Sequence, residues 1–145
     1  MLLVDTSVWI EHLRKGMPAL VTALEHGQVL MHPFVLGELA CGNLRDRGRV
    51  LQLLRKLPFT PTATDDEALE FIEQRALMGR GLGYIDVHLL AATALTGAAW
   101  LWTRDRHLAD VARELELEYT ALKRNRTLSA PVEESQAEPV SMLFR

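Results

Sequence analysis

Short apolar runs alternate along this chain with longer helical stretches, and this alternation restricts the fold more than any other feature. The runs lie at 2–4, 28–31 and 98–102, with weaker candidates at 59–60, between two prolines, and at 117–120. Short strands separated by helices are typical of βαβ crossovers and of a parallel sheet covered on both faces. We therefore expect an α/β fold, an α/β/α sandwich around a central parallel sheet.

Helical patterns fill the segments between the runs. The predicted helices span 8–14, 18–26, 33–42, 49–57, 64–78, 86–96 and 105–115. Thr64 and Glu67 have the spacing of a capping box, and Gly97 follows the apolar stretch 86–96 as a helix stop. Gly79, Gly81 and Gly83 also follow a predicted helix and lack the Gly-Lys-Ser/Thr signature, so we interpret them as a helix stop and not as a phosphate-binding loop.

The 145 residues are enough for one domain with its own core. We predict a single domain over 1–126. Residues 127–145 are rich in Ser, Pro and Glu with little periodicity, which predicts a flexible acidic tail. The single cysteine, Cys41, excludes an internal disulfide or a multi-cysteine zinc site and is predicted to be a core thiol. With no run long enough to span a membrane and no signal-like N-terminus, we expect a cytoplasmic protein.

The net charge of −3 does not exclude a polyanionic partner. Three glutamates and one arginine give 127–145 a charge of −2, so 1–126 carries −1. Four of its acids form the candidate site described next, and without them this body would carry +3. A cation that neutralised those acids would leave a mildly basic surface, which permits nucleic acid as a partner without requiring it.

Four acids lie where a parallel α/β fold would place a site. Asp5 ends the first apolar run, Asp105 lies just after the run 98–102, Glu38 lies about one turn into a helix, and Asp86 begins another. Ligands of open parallel sheets bind outside the carboxyl ends of the strands, so we expect these side chains to meet there. Four carboxylates repel one another, and a divalent cation with oxygen ligands, Mg²⁺ or Mn²⁺, would relieve that repulsion.

Each acid also has a purely structural interpretation. Asp5 and Asp105 each precede a predicted helix, so either could serve as its N-cap, and for Asp105 the two interpretations are equally balanced. Asp86 and Glu38 lie among apolar residues, where an acid is costly unless it is paired or bound to a metal. The five histidines include no pair at the spacing of a zinc helix, so we expect most of them at the surface, with His32 and His107 in loops near the acids.

Taken together, these residues resemble the PIN-domain nucleases, and most of all the VapC-type toxins of toxin–antitoxin pairs. The resemblance is carried by the ordered set Leu2-Leu3-Val4-Asp5-Thr6-Ser7, Glu38, the segment Gly83 to Ala92, and Thr103-Arg104-Asp105, and it covers about residues 1–122. It implies a five-stranded parallel sheet. It also implies a homodimeric endoribonuclease, dependent on Mg²⁺ or Mn²⁺, that a cognate antitoxin holds inactive. The acidic quartet of the family then falls on Asp5, Glu38, Asp86 and Asp105, with Thr103, Thr6 and Ser7 as supporting hydroxyls.

Other protein classes fit the sequence less well. A haloacid-dehalogenase-type phosphatase needs a second acid at position 7, where this chain has Ser, and a metal-dependent adhesion module needs a hydroxyl at position 9, where it has Trp. A receiver domain needs a late lysine that is missing at the required place. The alternative that remains is a PIN fold without catalysis that binds RNA or protein, although an intact acidic quartet argues against it.

Overall fold

A computed structural model describes residues 1–120 of the chain. Its strands are β1 (Leu2–Val4), β2 (Val29–Leu30) and β3 (Trp100–Trp102). Its helices are α1 (Thr6–Lys15), α2 (Pro18–Glu25), α3 (Pro33–Cys41), α4 (Arg47–Arg55), α5 (Asp65–Arg75), α6 (Tyr84–Thr96) and α7 (Arg106–Glu114). The predicted tail, 127–145, and the last six residues of the predicted domain lie outside the described residues.

The sheet is parallel, with β1 in the centre and the order β2-β1-β3. Leu2 and Leu3 pair with Val29 and Leu30 on one side, and with Trp100 and Leu101 on the other. All three residues of β1 are buried. Successive strand side chains point to opposite faces, so this burial means that both faces of the sheet are covered, as expected for an α/β fold.

The prediction of five strands is confirmed only in part. Three strands are present among residues 1–120, and the two weaker candidates are reduced to one parallel bridge each, Met31 with Phe59 and Leu101 with Glu118. Phe59 lies between two prolines, which lack the backbone N–H that a longer ladder needs. The edges of the sheet are therefore short, and β1 is flanked on both sides by its only extended partners in this part of the chain.

Local chemistry explains where the helices begin and end. The capping box predicted at Thr64 and Glu67 is present and starts α5. α5 ends at Arg75, three residues before the predicted limit, because Ala76 adopts a left-handed conformation with φ of 52°. α1 begins at Thr6, two residues earlier than predicted, because the side chain of Asp5 accepts a hydrogen bond from the Thr6 amide.

The core consists of the sheet and the helix faces packed on it. Trp9 and Leu90 are fully buried there, together with Leu3 and Leu101. Cys41 is exposed at the end of α3, so the prediction of a core thiol was wrong. Among residues 1–120 there is no helix that is long and apolar enough to cross a membrane.

Candidate active site

Asp5 lies at the carboxyl end of the central strand and is 7% exposed. Its Oδ1 accepts a hydrogen bond from the Thr6 amide at 2.8 Å. Its Oδ2 accepts one from the Ser7 hydroxyl at 2.8 Å and one from the Thr103 hydroxyl at 2.7 Å. Thr103 directly follows β3, so the last of these bonds joins the ends of two neighbouring strands. Three donors therefore fix the position of this carboxylate.

The same two hydroxyls also accept hydrogen bonds from the backbone that leads into α7. The Ser7 Oγ accepts from the amide of Arg104 at 3.0 Å, and the Thr103 Oγ1 accepts from the amide of Asp105 at 3.0 Å. Each hydroxyl thus donates to Asp5 and accepts from the turn after β3. This network ties the beginning of α1 to the beginning of α7.

Glu38 reaches the same region from α3, which packs against α1. Its Oε1 accepts a hydrogen bond from the Thr6 hydroxyl at 2.9 Å. Thr6 therefore contacts two acids, Asp5 through its amide and Glu38 through its hydroxyl. The side chain of Glu38 is otherwise exposed.

Asp86 and Asp105 lie at the beginnings of two further helices. Asp86 is in the first turn of α6, where its Oδ2 accepts from the amide of Gly83 at 2.9 Å. Asp105 is the N-cap of α7, and its Oδ1 accepts from the amide of Leu108 at 2.9 Å. With Asp5 at the start of α1, three of the four acids lie at helix N-termini, where the helix dipole favours negative charge.

The charges of the other three acids act on Asp86. Partial burial raises the pKa of Asp86 above its ordinary value, and the hydrogen bond from Gly83 opposes that rise. The negative charges of Asp5, Asp105 and Glu38 raise this pKa further. All three other acids are therefore close enough to repel the Asp86 carboxylate.

The donor set fits a divalent cation by its charge and chemistry. In Glu38, Asp86 and Asp105, one carboxylate oxygen is held by the protein and the other has no hydrogen-bond partner within residues 1–120. None of the four acids forms an ion pair in that part of the chain. The described residues contain no ready-made group of three metal-ligating side chains. An ion that keeps several of its waters, as Mg²⁺ does, fits such an open arrangement.

The structural interpretations of Asp5 and Asp105 also hold. Both residues cap helices, so part of their role is structural. Capping uses only the Oδ1 of Asp105, and it explains neither the position of Glu38 nor the like charges around Asp86. Helix capping alone therefore does not account for the cluster.

The prediction of surface histidines was wrong for three of the five. His12 and His88 are each 1% exposed and His32 is fully buried. The Nδ1 of His32 accepts from the amide of Phe34 and so caps α3. Burial, helped by the nearby His88, lowers the pKa of His32 to about 4, which keeps its ring neutral at ordinary pH. His107 is exposed in the first turn of α7.

An aromatic cluster formed by His32, Phe34, Tyr84 and His88 was not foreseen from the sequence. The ring of His88 lies 4.8 Å from that of Phe34 and 4.6 Å from that of Tyr84. Tyr84 is 44% exposed, and its hydroxyl donates to Asp65 at 2.7 Å. The (i, i+4) spacing of Tyr84 and His88 on one helix was the available signal, but only the tertiary fold brings α3 alongside.

Comparison with known proteins identifies the family of this chain. The PIN domain family matches residues 2–114 of the chain. The chain belongs to the PIN-domain family. Two curated relatives, both named Ribonuclease VapC32, come from Mycobacterium tuberculosis strains CDC 1551 / Oshkosh and ATCC 25618 / H37Rv. Each is 48% identical over 114 residues, which cover 79% of this chain and 92% of the relative. The resemblance to VapC-type PIN domains is thereby confirmed.

Proposed function

We propose that this PIN domain is a divalent-metal-dependent endoribonuclease, the toxin of a type II toxin–antitoxin pair, with Asp5, Glu38, Asp86 and Asp105 as its catalytic metal ligands. Membership of the family and 48% identity to a ribonuclease support RNA hydrolysis. The observation that carries the site is the hydroxyl network, in which Thr6 joins Asp5 to Glu38 and Thr103 joins Asp5 to the start of α7. The charges of these acids also act on Asp86, and none of the four forms an ion pair within the described residues.

The hydroxyls and acids have separate tasks in this proposal. Ser7 and Thr103 hold Asp5, and Thr6 orients Glu38, so these two carboxylates present fixed oxygens. Asp86 and Asp105 each present the oxygen that is not bonded to backbone. If Mg²⁺ or Mn²⁺ binds to these four acids, it would supply Lewis-acid activation of a water molecule and would neutralise charge on the phosphoryl oxygens. The acids thus bind the cation, and the hydroxyls keep the acids in place.

Basic side chains around the acids suit an RNA backbone. Arg104 and Arg106 flank Asp105 and are both exposed. On the other side, a groove lined by Arg14, Arg45 and apolar side chains of α1 reaches Glu38. Arginine binds phosphate through paired N–H donors, so RNA can lie across the acids with its phosphates held from two directions.

The experiment is a cleavage assay on an end-labelled RNA that contains both single-stranded and looped segments. We expect cleavage with Mg²⁺ or Mn²⁺ and none in excess chelator. Asp86→Asn, purified in the same way, controls for contaminating nucleases and is expected to be inactive. Full activity in chelator would contradict the metal-dependent mechanism.

The alternative, a PIN fold that binds RNA without cutting it, predicts a different result in the same assay. The parent protein and Asp86→Asn would then both leave the RNA intact and shift it equally in a gel.

The two partners implied by the family are tested separately. Light scattering of the purified chain reports whether it is a homodimer, and co-purification with the product of a neighbouring small gene reports the antitoxin. Cell fractionation tests the expected cytoplasmic location.

A further inference from the structure

A glycine-rich segment, Gly79 to Gly83, leads into α6 and lies against α7. We call these five residues the strap. Gly79 and Gly81 have φ of 70° and 78°, in the left-handed region that glycine adopts without strain. The function proposed above gives the strap no role, and its sequence indicated only the end of a helix.

Two contacts fasten the strap to α7. The guanidinium of Arg80 makes paired hydrogen bonds of 2.9 and 2.7 Å to the carboxylate of Glu114. Gly81 lies directly against the ring of His107: a Cβ placed on Gly81 would be 3.2 Å from both Cγ and Nδ1 of that ring. Alanine at position 81 would therefore displace the His107 ring or the strap by a few tenths of an ångström. The same addition at Gly79 meets nothing within 4 Å.

One end of this connection holds a candidate metal ligand, and the other end contacts the helical turn that a second candidate ligand caps. At one end, the Gly83 amide holds the Oδ2 of Asp86 at 2.9 Å. At the other end, His107 belongs to the helical turn that Asp105 caps through the Leu108 amide. α6 packs mainly on α5 and β3 and makes no extensive contact with α7. The strap therefore provides a direct link between the beginnings of two helices that share no extensive contact with each other in the described part of the chain.

We propose that Gly81 and Arg80 are positioning residues: the strap fixes the separation of Asp86 and Asp105 and so sets the affinity of the site for a divalent cation. This inference rests on the proposed function and extends it to residues that contact neither the cation nor the RNA. Groups that orient metal ligands without binding the metal commonly change metal affinity by about 10- to 100-fold when they are altered. Glycine at position 81 permits both the left-handed backbone and the close approach of the His107 ring.

The main experiment compares Gly81→Ala with Gly79→Ala in the full chain. Both variants place alanine at a positive φ and share that backbone strain, but only Gly81→Ala meets His107. Binding of Mn²⁺ is measured by titration calorimetry and by the rise in melting temperature from chelator to Mn²⁺. We expect the Kd for Mn²⁺ to be about tenfold higher in Gly81→Ala than in Gly79→Ala, with a correspondingly smaller thermal shift.

Two further variants test the route of the effect. In the double variant Gly81→Ala/His107→Ala, the alanine at position 81 no longer meets an imidazole ring. We expect this variant to recover part of the lost Mn²⁺ affinity. Arg80→Ala loosens the strap without backbone strain and should also weaken Mn²⁺ binding. Its matched control is Arg113→Ala, which removes an exposed Arg–Glu pair that α7 makes away from the strap, with Glu118. The arginine pair keeps the test valid if Gly81→Ala does not fold.

The outcomes separate this inference from the proposed function. If the parent chain binds no Mn²⁺, the metal-dependent function itself is wrong, and the positioning role falls with it. If the parent binds Mn²⁺ while Gly81→Ala and Gly79→Ala bind it equally, backbone strain explains any change, and only the positioning role is overturned. Equal affinities of Arg80→Ala and Arg113→Ala would overturn it in the same way.

Discussion

Asp5, at the carboxyl end of β1, and Asp86, in the first turn of α6, belong to one candidate site, but their surroundings are built differently. Asp5 is buried and accepts three hydrogen bonds from the protein. Asp86 accepts one, from Gly83, and its pKa is raised first by partial burial and then by the negative charges of the three other acids. In the first region the protein's own donors stabilise the carboxylate, and in the second they leave most of its charge uncompensated.

The comparison distinguishes an acid that stabilises the fold from an acid whose charge we expect to serve cation binding. Asp5 joins β1, β3 and the start of α7 through Ser7 and Thr103, so it stabilises the protein without any cation. We expect Asp86 to destabilise the metal-free protein, because partial burial and the like charges of the other acids both oppose its ionised form. Stability and metal binding are therefore separable at these two positions, and the predictions below test that separation.

The largest expected effect is on catalysis. Asp86→Asn should lower the rate of RNA cleavage by at least about a hundredfold, because metal binding and charge stabilisation at phosphorus supply several kcal/mol. Single-turnover cleavage at saturating Mn²⁺ measures this. Asp66→Asn, which changes an exposed acid in the first turn of α5, is the control and should retain the parent rate. If Asp86→Asn cleaved RNA at nearly the parent rate, the proposed position of the active site would be wrong.

The second effect is an opposite change in stability for the two acids. In chelator, Asp5→Asn should lower the free energy of unfolding by about 1–3 kcal/mol, because an amide nitrogen cannot accept from two hydroxyls. Asp86→Asn should raise it on the order of 1 kcal/mol, since solvent and counterions screen the relieved repulsion. Thermal melts with chelator and with Mn²⁺ measure both variants, and each should lose the stabilisation by metal. A loss of stability in metal-free Asp86→Asn would make Asp86 a structural residue.

A third prediction concerns the hydroxyl that joins the two strands at Asp5. Thr103→Val should lower stability by about 1 kcal/mol, because it removes a donor to Asp5 and an acceptor for the Asp105 amide. Thr103→Ser keeps the hydroxyl and should recover most of that loss in chemical denaturation. Thr96→Val removes a hydroxyl that bonds only to the Ala92 carbonyl of its own helix, and it should leave Mn²⁺ affinity unchanged. Thr103→Val should also weaken Mn²⁺ binding, because Asp5 is then held less firmly. If Thr103→Val bound Mn²⁺ as tightly as the parent, the role of Thr103 would be structural only.

The smallest effect is on pH dependence. A carboxyl whose pKa is raised by folding binds its proton more tightly in the folded chain, so its contribution to stability declines as pH rises through that raised pKa. For Asp86 the decline begins near the ordinary value of 3.8. In chelator, the stability advantage of Asp86→Asn over the parent should therefore be small below that pH, grow as pH rises, and then level off. The lowered pKa of His32 acts in both proteins and cancels in this difference. A pH-independent difference would contradict the raised pKa of Asp86.

The sequence predicted those parts of the molecule that depend on local or strongly patterned interactions. The apolar run of β1 that ends at Asp5 and the capping box of α5 were both found as predicted. The edge strands were overestimated, because pairing at Phe59 and Glu118 depends on partners that no local pattern encodes. The burial of His32 and His88 was missed because it arises when α3 and α6 meet in three dimensions.

The candidate site was predictable for a related reason. In a parallel sheet, strand order places the carboxyl ends of strands together, so Asp5 and Asp105 could be placed near each other from their position after apolar runs. The hydroxyl network of Ser7 and Thr103 was only suggested, because hydrogen-bond partners depend on distances that spacing does not define. The contact between Gly81 and His107 could not be predicted from the sequence. A glycine that ends a helix and a glycine that packs against another side chain look the same in a sequence.

The central position of β1 affects the order in which the parts of the site form during synthesis and folding. β1 precedes its partner β3 and the last acid, Asp105, by about a hundred residues, so it is made well before them. Contacts of such long sequence separation form late in folding, because the intervening chain must first be gathered together. A nascent chain that has passed Asp86 therefore carries three of the four acids without the strand and the Thr103 hydroxyl that fix Asp5. The chain must therefore be synthesised past Asp105 before the site exists, and translation products that end before this residue are expected to lack the complete site.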